Sequence, residues 1–167
     1  MNTATKLGIA IGATVVVGGA AISLGLFGGP SDKEQIQKAL DEAILASKEG
    51  RPGGVVEYIS AKFQVNDAQY GTRDIAKAVK DLRPTVEIAN REPSIAGNIA
   101  SITSSVKLSV SLPPVNVNLQ NVKMSFEREN SRKWLIFPSK TWRMTQVDIP
   151  EETFNEVRDQ FSGISQL

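Results

Sequence analysis

The sequence predicts an α+β domain behind an N-terminal membrane-spanning helix. Residues 7–27 form 21 consecutive residues without a charge. Apolar residues recur at helical spacing between residues 32 and 82, and the period changes to two from residue 85. Helices followed by a run of long strands are typical of an α+β domain. We therefore expect a short cytoplasmic tail at 1–6, a span at 7–27, a linker at 28–31, a domain at 32–149 and an amphipathic C-terminal helix and tail at 150–167.

The uncharged run at 7–27 is long enough to cross a bilayer as a helix, which needs about 20 apolar residues. Lys6 precedes it, whereas Asp32 and Glu34 follow it. The positive-inside tendency therefore predicts a cytoplasmic N-terminus and an extracytoplasmic domain. Two alternatives remain open, namely a signal peptide cleaved near residues 19–21 and a helix buried inside a soluble protein.

The composition excludes several classes of chemistry. The chain has no cysteine and no histidine, which excludes disulfides, thiolate nucleophiles, cysteine/histidine zinc sites and a Ser-His-Asp mechanism. We find no acidic cluster or glycine loop with the spacing of a metal or phosphate site, and we expect no metal and no cofactor. The first 30 residues contain one of the 19 basic residues and none of the 18 acidic ones, so 18 of each remain. A neutral domain has no long-range field to attract nucleic acid.

Helix signals divide the first half of the domain. A Ser/Glu pair three residues apart is a capping box, and a proline ends or begins a helix according to its position. The predicted helices are one capped by Ser31 and Glu34 that runs to about Lys48, a short one at 55–63, one capped by Thr72 and stopped by Pro84, and a final one begun by Pro150.

Strand signals fill the second half. In residues 102–112 the even positions apart from Ser104 are apolar and the odd positions are polar, and the alternation continues after two prolines. At Gln120-Asn121 the apolar phase slips by one residue, which is what a β-bulge produces, and bulges bend sheets. The predicted strands are 85–92, 102–112, 115–126 with its slip, 134–137 and 140–147, with a turn at 129–132.

Three segments in this order resemble the NTF2-like superfamily. Residues 55–63, residues 71–79, and residues 132–136 followed by Trp142 are similar to that family's second helix, third helix and final hairpin. The resemblance covers about residues 32–147 and implies a cone in which three helices pack into a bent sheet. The superfamily includes isomerases, dehydratases, epoxide hydrolases and many non-catalytic members. The layout of tail, span and external domain is also similar to VirB8-like proteins of type IV secretion, which implies a bacterial-type cell membrane.

Four polar residues are candidates for chemistry at the mouth of such a cone: Tyr58, Asp67, Tyr70 and Glu87. A desolvated carboxylate beside a tyrosine could move a proton next to a carbonyl group, as an isomerase or dehydratase acting on a small apolar ligand requires. The structural interpretation is that Tyr58 is a half-buried anchor, Asp67 starts a turn and Glu87 faces water. We expect the structural interpretation to hold.

The long strands offer a different kind of site. Ser109, Asn116 and Asn118 lie on an uncharged polar face that could dock a protein partner or a second copy of the chain. Trp134 and Trp142 belong to the last hairpin, where they either fill the cone or line a pocket. We therefore expect a non-catalytic binding or assembly module. A component of an envelope secretion complex is a further alternative that differs only in its partner.

Overall fold

The computed structural model describes residues 30–111, 114–133 and 137–155, and within them the predicted mixture of helices and strands is confirmed. The side chains of 131–133 and 137–139 are not described, and the predicted span at 7–27 lies outside these ranges. The helices are α1 (Asp32–Lys48), α2 (Gly53–Val56) and α3 (Thr72–Leu82), and residues 151–155 are also helical. The strands are β1 (Ile59–Val65), β2 (Ala68–Gln69), β3 (Thr85–Ile88), β4 (Ser94–Ala96), β5 (Ile99–Ser111), β6 (Pro114–Lys133) and β7 (Phe137–Asp148). Within the described ranges no helix has both the length and the apolar character to cross a membrane.

All seven strands belong to one sheet in the order β2-β1-β7-β6-β5-β3, with β4 also paired to β5. The predicted antiparallel pairing holds for every pair except β1–β7, which is parallel. Parallel pairing is possible there because β1 and β7 are joined through the whole intervening chain rather than by a hairpin. The predicted strand 85–92 is shorter than expected, since β3 ends at Ile88.

The start of α1 is the predicted capping box. The Ser31 hydroxyl accepts a hydrogen bond from the Glu34 amide at 3.3 Å, and the Glu34 carboxylate accepts one from the Ser31 amide at 2.7 Å. These bonds lower the pKa of Glu34, because they favour its charged form. Ile36, Leu40 and Ala43 are buried along one face of α1, as the helical spacing predicts.

The predicted helix at 55–63 is wrong over most of its length, because α2 ends at Val56 and β1 begins at Ile59. Ile59 and Phe63 are both buried and four residues apart, which mimics helical spacing. Residues four apart share a face in a strand as well as in a helix, so this spacing fits both structures. The exposed Ala61 between them breaks the alternation that would have indicated a strand.

Two details of the helical half differ from the simplest sequence interpretation. The cap of α3 is Gly71 rather than Thr72, since the amides of Asp74 and Ile75 already donate to the Gly71 carbonyl. Within residues 50–54, Gly54 serves helix packing, because a Cβ atom there would lie only 2.8 Å from the Cβ of Ala46. This close approach lets α2 lie directly against α1.

The two faces of the long strands separate as predicted. Even-numbered residues of β5 from Ile102 to Val110 are buried, and the odd ones between them are partly or fully exposed. The predicted slip is confirmed: Ser104 pairs with Val122 but Val106 pairs with Leu119, so β6 carries one extra residue. Together with a second register shift between β6 and β7, this bulge bends the sheet around the helices.

The predicted turn at 129–132 is wrong, because β6 continues to Lys133 and Glu129 pairs with Thr141 of β7. The Ser60 hydroxyl also donates to the Glu129 carboxylate at 2.6 Å. These long-range bonds outweigh the turn preference of Asn130 and Ser131. Residues 134–136 of the predicted strand 134–137 lie outside the described residues.

The bulge residue Asn121 provides a test of this register. Its φ of 54° is left-handed, a conformation that asparagine and glycine tolerate and β-branched residues do not. We expect Asn121→Val to lower the free energy of unfolding by about 1–2 kcal/mol and Asn121→Gly to leave it nearly unchanged. Chemical denaturation of the full chain measures both. Asn118→Val, at an exposed and regular position of β6, is the control and should not destabilise; equal stability of the valine and glycine variants at 121 would contradict the bulge.

Candidate functional site

The interior between the helices and the sheet is occupied by the chain's own apolar side chains. Helices and strands contribute to a single cluster of buried residues. Trp142 belongs to it with 3% of its surface exposed. The largest fully buried side chains are Phe63, Ile36, Leu40, Ile59, Ile75, Ile102, Leu108, Leu119 and Met124. An interior of this kind stabilises the fold. Any chemistry there would require polar side chains that extend into it.

The buried polar side chains in the described part of the chain are three serines, and each has a structural hydrogen bond. Ser47 donates to the Pro84 carbonyl at 2.9 Å, and Ser60 donates to Glu129. Ser104 accepts from the Asn90 amide at 2.7 Å. These bonds join α1 to the start of β3, β1 to β6, and β5 to the loop after β3.

Tyr58 is the most deeply buried of the four predicted site residues. It lies between α2 and β1, and its carbonyl accepts a hydrogen bond from the Met144 amide at 2.8 Å. Burial, and then the negative charges of Glu57 and Glu42, raise its pKa to about 12. At neutral pH the phenol therefore keeps its proton and can donate a hydrogen bond, but it cannot accept a proton as a base.

The other three candidates do not form one site. Asp67 is exposed and has a φ of 65° in the two-residue turn that joins β1 to β2. Tyr70 is partly buried against the core, and this burial raises its pKa. Glu87 is exposed on β3, paired with Lys107 of β5. Because β2 and β3 form opposite ends of the sheet order, the structure separates Asp67 from Glu87.

Asn66 is a residue that sequence analysis missed. Its side-chain amide donates to the Ile149 carbonyl at 3.0 Å, and its side-chain oxygen accepts from the Ile149 amide at 2.7 Å. It also has a positive φ of 45°, as the first residue of the two-residue turn. An Asn-Asp pair between two strands is a hairpin signal that could have revealed the turn, although not the bond to the end of β7.

A second missed group, which we call the Asp32 cluster, consists of Asp32, Arg128 and Trp142. Asp32 accepts a hydrogen bond from the Trp142 indole at 3.2 Å and forms an ion pair with Arg128. The Arg128 guanidinium lies 4.9 Å from the centroid of the Trp142 ring, within the range of a cation–π contact. The cluster therefore fixes the first turn of α1 to β6 and β7.

The exposed side of β5 and the first half of β6 brings the predicted interaction residues together. Ser109 pairs with Asn116, and Lys107 pairs with Asn118 on the same face. We call this surface the outer face; its members are Thr103, Ser105, Lys107, Ser109, Ser111, Asn116, Asn118 and Gln120. Trp142 points away from it into the core, and Trp134 lies outside the described residues.

The neighbouring part of the sheet carries ion pairs instead. Lys62 of β1 lies 2.5 Å from Glu127 of β6, and this bond raises the pKa of Lys62. Arg143 of β7 lies 3.8 Å from Glu129. Across the described ranges, no group of three acidic side chains could hold a metal ion. The outer face thus differs from its surroundings in being almost free of charge.

Comparison with known proteins finds matches among solved structures and in no other comparison. No family model and no curated protein matches the chain. An NTF2-like protein of unknown function in nutrient uptake from Rhodospirillum rubrum matches with a TM-score of 0.49 and 8% identity, over 62% of this chain and 87% of that one. An LEH-like epoxide hydrolase from M. tuberculosis matches with a TM-score of 0.46 and 14% identity, over 70% and 84%. An NTF-2 like protein of unknown function from Shewanella oneidensis matches with a TM-score of 0.45 and 9% identity, over 63% and 87%. Scores and identities at this level do not transfer a function.

The environment of Tyr58 predicts a dependence of stability on alkaline pH. Because the folded pKa is raised from 10.0 to about 12, the stability gained from the protonated phenol is present below pH 10 and is lost as the pH rises toward 12. Tyr58→Phe should remove this part of the decline in the free energy of unfolding. Denaturation followed by circular dichroism across that range measures it. Tyr70→Phe is the matched control and should remove less; an unchanged slope in Tyr58→Phe would show that Tyr58 is not buried as described.

Proposed function

We propose that this chain is a membrane-anchored, extracytoplasmic binding module of NTF2-like architecture that associates with a second copy through the outer face. One observation carries the proposal. The inner side of the long strands is buried in the core, whereas the outer face is exposed, regular and nearly uncharged. The uncharged run at 7–27 supports the anchor, and the single basic residue before it supports the orientation.

The chemistry of the outer face suits pairing with itself. Serine, threonine, asparagine and glutamine side chains each donate and accept hydrogen bonds, so a surface made of them is complementary to an identical surface. Two-fold dimers use the same patch on both partners. The one charged member, Lys107, lies opposite Glu87 in the register of β5 and β3, so a residue of opposite charge is its cross-strand neighbour.

The distribution of charge on the outer face also favours a second copy of the chain as its binding partner. A partner recognised by charge would need a patch of one sign, but the outer face has a single lysine among eight residues. The ion pairs of Lys62 and Arg143 with Glu127 and Glu129 lie at the later part of β6 and could limit the extent of the contact. An envelope secretion complex would use the same face with a different protein as the partner.

A small apolar ligand or an isomerase- or dehydratase-type substrate is the second candidate. Tyr58 favours it, because a buried phenol that keeps its proton could donate a hydrogen bond to a ligand carbonyl. Catalysis would also need a base, and Asp67 lies exposed in a turn rather than beside the core. For this reason the outer face has the stronger support.

Arginine substitutions on the outer face test the proposed association. Ser109→Arg or Asn118→Arg should weaken self-association of the full chain in detergent at least about tenfold, since each dimer would bring like charges together beside Lys107. Analytical ultracentrifugation measures the change. Because both positions lie on an exposed face, the variants should keep the wild-type circular dichroism spectrum.

Asn130→Arg is the matched control, since Asn130 is an exposed asparagine on the same strand beyond the outer face. It should leave the association unchanged. If both outer-face variants associate as strongly as the wild type, the proposed surface is wrong.

A further inference from the structure

The turn that joins β4 to β5 exposes two large apolar side chains. Ile95 is 37% exposed and Ile99 is 58% exposed, and they share a short hairpin that turns at Gly97, whose φ is +64°. We call residues 95–99 the β4–β5 tip. The remaining large exposed apolar side chain in the described residues, Leu45, lies on α1 at 50% exposure. Ile95 pairs with Ala100 and Ile99 pairs with Ala96, so the two side chains lie on opposite faces of the hairpin and its tip is apolar on both faces.

The β4–β5 tip lies at the same end of the domain as the start of α1. The Arg128 amide donates to the Asn98 carbonyl at 2.9 Å, and the Arg128 side chain pairs with Asp32 in the first turn of α1. Lys33 also lies 2.5 Å from Glu92, which precedes β4. The first contact places the tip, and the second the segment that leads into it, beside the point where the predicted anchor joins the domain.

The length of the linker limits how far this end can lie from a bilayer. The predicted span ends at residue 27, and four residues, 28–31, separate it from α1. Four extended residues cover at most about 14 Å. The start of α1, and with it the β4–β5 tip, is thus kept within a short distance of the place where the span leaves the membrane.

The charges around the β4–β5 tip permit contact with lipid. Residues 93–106 contain no charged side chain. The nearest charged groups are in ion pairs: Glu92 with Lys33, Arg128 with Asp32, and Glu127 with Lys62. Paired charges lose less hydration energy near a bilayer than isolated ones would. The charged groups directly beside the apolar tip are therefore neutralised by partners when the tip approaches the membrane interface.

We propose that the β4–β5 tip enters the interface of the bilayer and forms a second membrane contact that holds the domain against the surface. The proposal rests on the membrane anchor of the proposed function. The occupant of the tip is lipid, recognised by apolar contact rather than by charge, so zwitterionic vesicles suffice. Such a contact would restrict the orientation in which the outer face is presented.

Site-directed spin labelling tests the proposal cleanly, because the chain has no cysteine of its own. The full chain with Ile99→Cys carries a nitroxide and is reconstituted in phosphatidylcholine vesicles. Relaxation by oxygen, which concentrates in the bilayer, is compared with relaxation by a water-soluble nickel chelate. We expect oxygen to dominate at position 99, with a several-fold higher oxygen-to-nickel ratio than at the control, and Ile95→Cys should behave likewise.

Leu45→Cys is the matched control, since Leu45 is apolar and similarly exposed but lies 13 residues beyond Asp32 along α1. At 1.5 Å per residue this is about 20 Å from the anchored end. A label at 99 as accessible to nickel as the label at 45 overturns the proposal. A label at 99 shielded from both reagents also overturns it, because protein then covers the tip in place of lipid.

Val17→Cys separates failure of this inference from failure of the anchor. A label at 17 that lies in the bilayer while the label at 99 is aqueous defeats the membrane contact of the tip and leaves the proposed anchor standing. An aqueous label at 17 defeats both, and with them the membrane part of the proposed function. Self-association through the outer face is measured separately and is unaffected by either result.

Discussion

Burial of one side of β5, β6 and β7 beneath the helices is the constraint on which the rest of the structure depends. It fixes which residues of β5 face inward. Where β6 continues past Leu119, the extra residue at Asn121 is needed so that the apolar side chains still face the core. The helices gain their stability from the same contact, because Ile36, Leu40 and Ile75 are fully buried in it. With the inner side occupied by side chains, the outer face is the regular surface that the long strands leave free.

The Asp32 cluster fixes the position of the start of α1 relative to the sheet. By joining the first turn of α1 to β6 and β7, it fixes where the predicted anchor enters relative to the sheet. The β4–β5 tip lies at that entry point, whereas the outer face extends along β5 away from Ile99. Membrane contact and self-association would therefore occupy different parts of one sheet.

Sequence periodicity was sufficient where burial is regular and local. The capping box of α1, the alternation in β5 and the slip near Asn121 could all be predicted, because each depends on neighbouring residues. The strand at Ile59 could not, since the buried residues Val55, Ile59 and Phe63 are four residues apart, a spacing that fits a helix as well as a strand. The Asp32 cluster could not either, because its members are 96 and 110 residues apart in sequence. The grouping of Ser109, Asn116 and Asn118 was predictable, whereas the separation of Asp67 from Glu87 required the strand order.

The most direct test of the central claim is the distance between copies, measured by dipolar spectroscopy on the full chain in membranes. Nitroxides at Lys123, on the rim of the outer face, and at Lys77, on the exposed side of α3, distinguish the two sides of the domain. Association through the outer face predicts strong dipolar coupling at Lys123 and weak coupling at Lys77. Strong coupling at Lys77 with none at Lys123, or none at either position, would contradict it.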